Sequence, residues 1–159
     1  MNITDEFVTL VRRLEEDKIE FAVCGGLALA LHGCPRYTND IDLLVAPSDL
    51  PAALAAANAC GFVDEPESLK LGQQTGRLVE ICRRNKFHGE DFLTLDLVLT
   101  SPVLEDVWQG RVRFQWHEQS FDVVTAAGLA KMKLLAGRPQ DLADIQSLGF
   151  ATDDPAIQP

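Results

Sequence analysis

The chain has 159 residues, of which 47% are hydrophobic and 24% charged. This composition is that of an ordinary globular protein, and no apolar run reaches the ~18 residues that a membrane-spanning helix needs. Its 14 Lys and Arg against 24 Asp and Glu give a net charge of −10, which disfavours broad, non-specific binding to nucleic acid but leaves a local basic patch possible.

The first half of the sequence predicts alternating helices and strands. Apolar residues recur with helical spacing in "FVTLVRRL", which predicts an amphipathic helix with Thr4 as its N-cap. "FAVC" predicts a short buried strand that ends at the pair Gly25 and Gly26, followed by the helix "LALALHG" and the loop "CPRYTN". "DIDLLV" predicts the next strand, and an alanine-rich helix follows from Pro51 to about Cys60.

The second half predicts two hairpins and two helices. "SLKLG" and "RLVEICRR" flank "QQT" as a first hairpin, "FLTLDLVL" is a buried strand, and "RVRFQW" with "FDVV" forms a second hairpin. Helices follow over about 125–136 and from Pro139 onward. The prediction is an α/β fold: one domain over 1–150 with a small mixed sheet flanked by helices, the last two closing one side of a cleft, and a flexible, frayed tail over 151–159.

The N-terminus and the cysteines indicate the compartment. "MNITDEF" carries acids where a secretory signal carries basic residues, so the prediction is a cytoplasmic protein with no membrane partner. The cysteines show no zinc-like spacing, which predicts reduced thiols with neither a disulfide nor zinc; they are Cys24, Cys34, Cys60 and Cys82.

The glycine pair and the loop after it are candidate phosphate contacts. Gly25 and Gly26 stand where a strand meets a helix, a place where backbone N–H groups bind anions if no side chain blocks the approach; a plain tight turn is the alternative. Arg36 and Thr38 in the loop could also contact phosphate, or could cap and tie the loop.

Three aspartates are the candidate catalytic residues. Asp40 and Asp42 are one residue apart on a predicted strand, so both carboxylates face the same way, and such a pair is tolerable with a divalent cation between them. Asp96 interrupts the apolar run "LTLDLVL" and needs a partner, for which the metal at Asp40 and Asp42 is the natural candidate. The alternative for the first two is a pair of solvated acids at a sheet edge.

Taken together, the glycine pair, the helix, the loop, "DID" and the later strand aspartate resemble the DNA polymerase beta-type nucleotidyltransferase superfamily over residues 21–100. The family motif is usually Gly-Ser, and here Gly26 replaces the serine and removes its hydroxyl. The resemblance implies that Asp40, Asp42 and Asp96 hold Mg²⁺ or Mn²⁺, and that Gly25 and Gly26 seat a nucleoside triphosphate.

A later segment, "GLAKMKLLAGRPQDLADIQSL", is similar to the AbiEii-like branch of that superfamily, which includes toxin components of toxin–antitoxin and phage-defence systems. This similarity implies that Lys133 is catalytic and that Lys133, Arg138 and Asp141 bind nucleotide, with Asp144 one turn further. Lys131 and Lys133 point in different directions on a helix, so only one of them can face a cleft.

A separate basic cluster could form a nucleic-acid patch or simply a solvated strand end; its members are Arg77, Arg83, Arg84 and Lys86.

The predicted reaction is transfer of a nucleoside monophosphate from a nucleoside triphosphate to an acceptor hydroxyl, with release of pyrophosphate. The acceptor stays open among RNA, protein and a small molecule, as does a homodimer or an antitoxin partner. The alternatives are a catalytically degenerate nucleotide- or partner-binding domain, an assembly domain with exposed acids, and an antibiotic nucleotidyltransferase. The enzymatic prediction fails if Asp96 lies far from Asp40 and Asp42, or is buried against an arginine.

Overall fold

The computed structural model describes residues 1–63, 67–72 and 77–159. The helices are α1 (Ile3–Glu16), α2 (Gly25–Leu31), α3 (Leu50–Ala59), α4 (Glu105–Gln109), α5 (Ala126–Ala136) and α6 (Pro139–Ser147). The strands are β1 (Ala22–Cys24), β2 (Asp40–Val45), β3 (Glu67–Leu71), β4 (Val79–His88), β5 (Asp91–Leu99), β6 (Val112–Trp116) and β7 (Gln119–Val123). The predicted α/β class is confirmed.

The described strands form one mixed seven-stranded sheet in the order β3-β4-β5-β2-β1-β7-β6. Strand β2 pairs with β5 in parallel and with β1 in antiparallel orientation, so β2 lies at the centre of the sheet. Both predicted hairpins are present as antiparallel pairs, β3 with β4 and β6 with β7. The predicted turn "QQT" falls outside the described residues.

The core follows from the apolar face of each element. Helix α1 buries Phe7, Leu10, Val11 and Leu14, which the helical spacing predicted, and packs on α3 and on the sheet. Strands β2 and β5 bury Ile41, Leu43, Leu95 and Leu97 almost completely. Helix α2 packs on β2, and helix α5 packs against α2 and α6. None of the helices in the described ranges is both long and apolar enough to span a membrane.

Two local predictions differ from the structure. The N-cap of α1 is Asn2, whose side chain accepts a hydrogen bond of 2.9 Å from the Thr4 backbone N–H, so the assignment of Thr4 as N-cap was wrong. Helix α4 was not predicted, because its five residues are too short for a helical period to show in the sequence.

The sequence predicts a flexible, frayed tail over 151–159, but in the structure this segment is docked. A short 3-10 helix covers Pro155–Ile157, and Asp154 caps it by accepting a hydrogen bond from the Ala156 backbone N–H. Ile157 is fully buried against Ala130 and Ile145. The polar and proline-rich composition hid this single apolar anchor, which holds the segment against α5 and α6.

Candidate active site

One cavity contains most of the predicted site residues. Its volume is about 730 Å³, within the usual range for small-molecule sites. Strands β1, β2, β4 and β5 and helices α5 and α6 contribute to its wall. Every residue predicted to be catalytic or nucleotide-binding lines this cavity: Gly25, Gly26, Arg36, Thr38, Asp40, Asp42, Asp96, Lys133, Arg138 and Asp141.

The three aspartates converge on one face of the two central strands. Asp42 and Asp96 are register partners across the parallel pair β2 and β5, and Asp40 lies two residues before Asp42 on the same face. They therefore do not lie at an edge of the sheet, which was the alternative for Asp40 and Asp42, because β2 and β5 each have neighbours on both sides. A central position gives the site a rigid floor.

Burial and the mutual repulsion of these acids perturb their ionisation. Desolvation by burial, followed by the negative charges of Asp96 and Asp40, raises the pKa of Asp42 from 3.8 to about 7. Desolvation and Asp96 also raise the pKa of Asp40, although Arg83, Arg138 and Arg36 oppose that shift. The cluster is therefore short of positive charge in this state, which is the condition in which a cation is attracted.

Gly25 is required by its backbone and by its neighbour. Its φ of +61° lies in the left-handed region that favours glycine. A Cβ at this position would lie 1.9 Å from the Asp42 carboxylate oxygen Oδ2, so only glycine lets that carboxylate sit against the turn. A hydrogen bond from the Gly26 backbone lowers the pKa of Asp42 and so opposes the larger effects of desolvation and of the neighbouring carboxylates. The glycine pair thus positions an aspartate of the cluster.

Arg83 binds Asp96. The Arg83 Nε and Nη2 donate to the two Asp96 carboxylate oxygens at 2.8 Å each, a two-point ion pair across β4 and β5. Arg83 is the antiparallel register partner of Asp96, which explains the geometry. The first condition for failure, a distant Asp96, is not met, but the second is: Asp96 is 6% exposed and paired with an arginine. By that condition the enzymatic prediction fails in the form in which Asp96 is a free third metal ligand, and an enzymatic role for Asp96 requires it to leave Arg83.

The residues fit a divalent cation only in part. Asp40 and Asp42 offer carboxylate oxygens, the donors that Mg²⁺ prefers, on one face of β2. Both oxygens of Asp96 are taken by Arg83. In the described ranges, no three His, Cys, Asp or Glu side chains are arranged to hold a metal ion. A third ligand at Asp96 requires Arg83 to release it.

Lys133 occupies a buried ion-pair network beside the aspartates. It is 5% exposed, and its Nζ lies 2.7 Å from Asp144 and 3.5 Å from Asp141. Its charge also lowers the pKa of Asp42 against the larger opposing causes, which places it within electrostatic reach of the carboxylate cluster. Lys131, on the same helix, does not line the cavity and pairs with the exposed Asp106 at 2.7 Å.

The remaining predicted phosphate contacts are held by the same network. Arg36 donates to both oxygens of Asp144, and Arg138 donates to Asp141, which in turn accepts from the Arg138 backbone N–H and caps α6. Burial alone would raise the pKa of Asp144, but hydrogen bonds from Arg36, Lys133 and Gln140 lower it to about 2. The arginines are thus oriented in the cavity wall.

Sequence reasoning missed parts of the cavity. Arg83 was assigned only to a basic cluster, although its position opposite Asp96 follows once the β4–β5 register is known. The docked tail also reaches the cavity through Thr152, Gln158 and Pro159. A third group is apolar and includes Val79, Ile81, Val98, Leu104, Leu129 and Met132. No local pattern marks these residues, because each depends on packing between distant segments.

The site therefore consists of a mixed sheet with two aspartates on one central strand, a third on its parallel neighbour and a glycine turn against Asp42. The model of the family described as nucleotidyltransferase of unknown function (DUF6036) matches residues 1–153, and the chain belongs to that family. No curated protein matches the chain in sequence.

Solved structures share the fold at low identity. A candidate nucleotidyltransferase from Thermotoga maritima superposes with a TM-score of 0.64 and 15% identity, over 91% of this chain and 90% of that one. The lincosamide antibiotic adenylyltransferase LnuA, with lincomycin bound, gives 0.59 and 11% identity over 91% and 95% of the two chains. ANT(2″)-Ia in complex with adenylyl-2″-tobramycin gives 0.56 and 12% over 91% and 87%. At these identities the likeness establishes the fold alone.

Proposed function

We propose that this protein transfers a nucleoside monophosphate from a nucleoside triphosphate to an acceptor hydroxyl, with release of pyrophosphate. The observation that carries the proposal is the convergence of Asp40, Asp42 and Asp96 in one cavity whose wall also presents Lys133 and Arg138. A binding scaffold without turnover gains nothing from three converging acids, in which burial and the charges of Asp96 and Asp40 raise the pKa of Asp42 to about 7.

Each residue has a distinct part in the proposed reaction. Asp40 and Asp42 would hold Mg²⁺ or Mn²⁺, which when bound neutralises the triphosphate and the developing charge. Lys133 and Arg138 face the same cavity and would attract the phosphates, Lys133 as a point charge and Arg138 as a planar fork. Asp96 would help to deprotonate the acceptor hydroxyl, and this role requires it to leave Arg83.

The direct test is a transfer assay. The protein is incubated with each α-labelled nucleoside triphosphate, Mg²⁺ or Mn²⁺ and fractions of a cell extract, and the fraction that gains label is identified. We expect label in one class of acceptor, loss of transfer with a chelator and loss of transfer in Asp42→Asn. Absence of label with every triphosphate and both metals, from a protein shown to be folded, would contradict the proposal.

The acceptor and the biological setting are finer parts of the proposal. By its resemblance to the AbiEii-like branch, the protein would act in the cytoplasm as a toxin–antitoxin or phage-defence component, as a homodimer or with an antitoxin. An antibiotic acceptor competes with this role. A single domain offers little wall for a drug, but the match to the lincosamide adenylyltransferase covers 95% of that chain, so a chain of this size suffices for that fold.

A second candidate function is favoured by the Arg83–Asp96 pair. If this ion pair is permanent, the third acid is a structural element, and the domain binds a nucleotide or a partner without turnover. The pair then replaces the cation at Asp96. Against permanence, the Arg83 side chain is 34% exposed and lines the cavity, so its guanidinium can be re-hydrated when it leaves Asp96.

Replacing Arg83 with methionine separates these two functions. If Arg83 competes with a cation, Arg83→Met frees both oxygens of Asp96, and we expect the affinity for Mn²⁺ to rise about tenfold, equivalent to about 1.4 kcal/mol. Calorimetric titration with Mn²⁺, without nucleotide, measures this change. Arg113→Met, at an exposed ion pair on β6, is the matched control and should leave Mn²⁺ affinity unchanged. Weaker or absent Mn²⁺ binding in a folded Arg83→Met protein would favour the degenerate domain.

A further inference from the structure

Gly26 is a glycine for a reason different from that of Gly25. The φ of Gly26 is not positive, so any residue could adopt its backbone conformation. A Cβ at Gly26 would nevertheless lie 2.8 Å from the Thr38 Oγ1 and 2.9 Å from the Thr38 Cβ. The space that a side chain at position 26 would need is therefore already filled by the side chain of Thr38.

The Thr38 side chain is held in this place by its loop. Arg36 is bound to Asp144 of α6, and the Asn39 side-chain amide donates to the Phe92 carbonyl at 2.7 Å, so the loop is anchored on both sides of Thr38. Among the described residues, the hydroxyl itself has only long contacts, an acceptance of 3.3 Å from the Asp40 N–H and a donation of 3.4 Å to the Asp40 carbonyl. Its donor capacity is thus weakly used, and the hydroxyl can turn to a stronger acceptor.

We propose that the Thr38 hydroxyl donates a hydrogen bond to a phosphate oxygen of the bound triphosphate, in place of a hydroxyl carried by residue 26. This inference rests on the proposed function. Thr38 lines the same cavity as Lys133 and Arg138, the cationic groups placed to attract phosphate. A hydroxyl that donates to a charged oxygen forms a shorter and stronger bond than its present contacts. Thr38 is therefore a binding residue whose hydroxyl reaches the glycine turn from the neighbouring loop.

The test moves the hydroxyl from one position to the other. Thr38→Val keeps the shape and removes the hydroxyl, and we expect about tenfold weaker binding of ATP and of inorganic tripolyphosphate in Mg²⁺, whereas Thr38→Ser stays near wild type. Thr38→Gly should lose affinity as well. The double variant Gly26→Ser with Thr38→Gly should recover most of it, because the serine fills the vacated space and restores a hydroxyl. Thr9→Ala, at an exposed threonine of α1, is the control and should change nothing.

The outcomes separate the inference from the proposed function. If Thr38 only ties its loop to Asp40, a serine at position 26 restores none of that contact, and the double variant binds no better than Thr38→Gly. That result, or unchanged binding by Thr38→Val, overturns the inference while wild-type binding of ATP upholds the proposed site. If the wild-type protein binds neither ATP nor tripolyphosphate, the nucleotide site fails, and this inference fails with it.

Discussion

Replacing Asp42 with asparagine is expected to stabilise the metal-free protein at pH 8 and to remove its transfer activity. The native pKa of about 7 lies above the ordinary 3.8, so the folded chain holds a proton that the unfolded chain releases between these values. Stability contributed by this group is therefore present at low pH and lost as the pH rises through about 7. The asparagine side chain carries no charge at any pH in this range, so the variant does not lose stability in this way as the pH rises.

The size of the effect follows from the shift. A rise of about three pKa units corresponds to at most about 4 kcal/mol, and we expect roughly half of it, about 2 kcal/mol, because an amide in this place keeps a desolvation cost. Transfer activity should fall roughly a thousandfold, since a carboxylate proposed to hold the divalent cation is lost. Urea unfolding in a chelating buffer at pH 8 and pH 4.5 measures the stability difference, which should be present at the first pH and small at the second.

A metal titration distinguishes the enzyme from a domain whose clustered acidic residues bind no metal ion. Mg²⁺ should raise the melting temperature of the wild-type protein at pH 8 by mass action and should raise that of Asp42→Asn much less. Asp153→Asn, at an exposed aspartate of the docked tail, is the matched control and should behave as wild type in both experiments. An equal response of wild type and Asp42→Asn to Mg²⁺ would remove Asp42 from the cation site.

The placement of Asp40 and Asp42 could be predicted because it depends on local geometry alone. Two residues one position apart on a strand face the same side, and the strand itself was evident from its apolar neighbours Ile41 and Leu43. The helical period of α1 was equally local. The mixed sheet and its flanking helices then followed from the order of these elements.

The partner of Asp96 could not be predicted, because it depends on strand register. Arg83 and Arg84 are adjacent, and only the β4–β5 pairing decides that Arg83 lies opposite Asp96 on the cavity face. A register shifted by one residue would have placed Arg84 there. The docking of Ile157 and the filling of the space at Gly26 by Thr38 are likewise contacts between distant segments, for which a single sequence carries no local signal.

Replacing Lys133 with methionine is expected to be the most destabilising single change in the site. Its Nζ lies between two buried carboxylates, those of Asp141 and Asp144, which are 1% and 2% exposed. Removing one partner of a buried ion pair costs about 3–5 kcal/mol, and because Arg36 and Arg138 still bind these acids we expect about 3 kcal/mol. For a chain of this length the loss corresponds to a fall of roughly 10 °C in the melting temperature.

The same change alters the response to acid, and the neighbouring lysine provides the control. The pKa of about 2 at Asp144 gives stability that is present above about pH 4 and lost as the pH falls toward 2; without Lys133 that pKa rises and this contribution shrinks. Lys131→Met removes a lysine from the same helix, but its partner Asp106 is 69% exposed, so it should cost under about 1 kcal/mol. Equal melting temperatures of the two variants would show that Lys133 does not stabilise the network. Its buried charge would then be explained only by the proposed contact with phosphate.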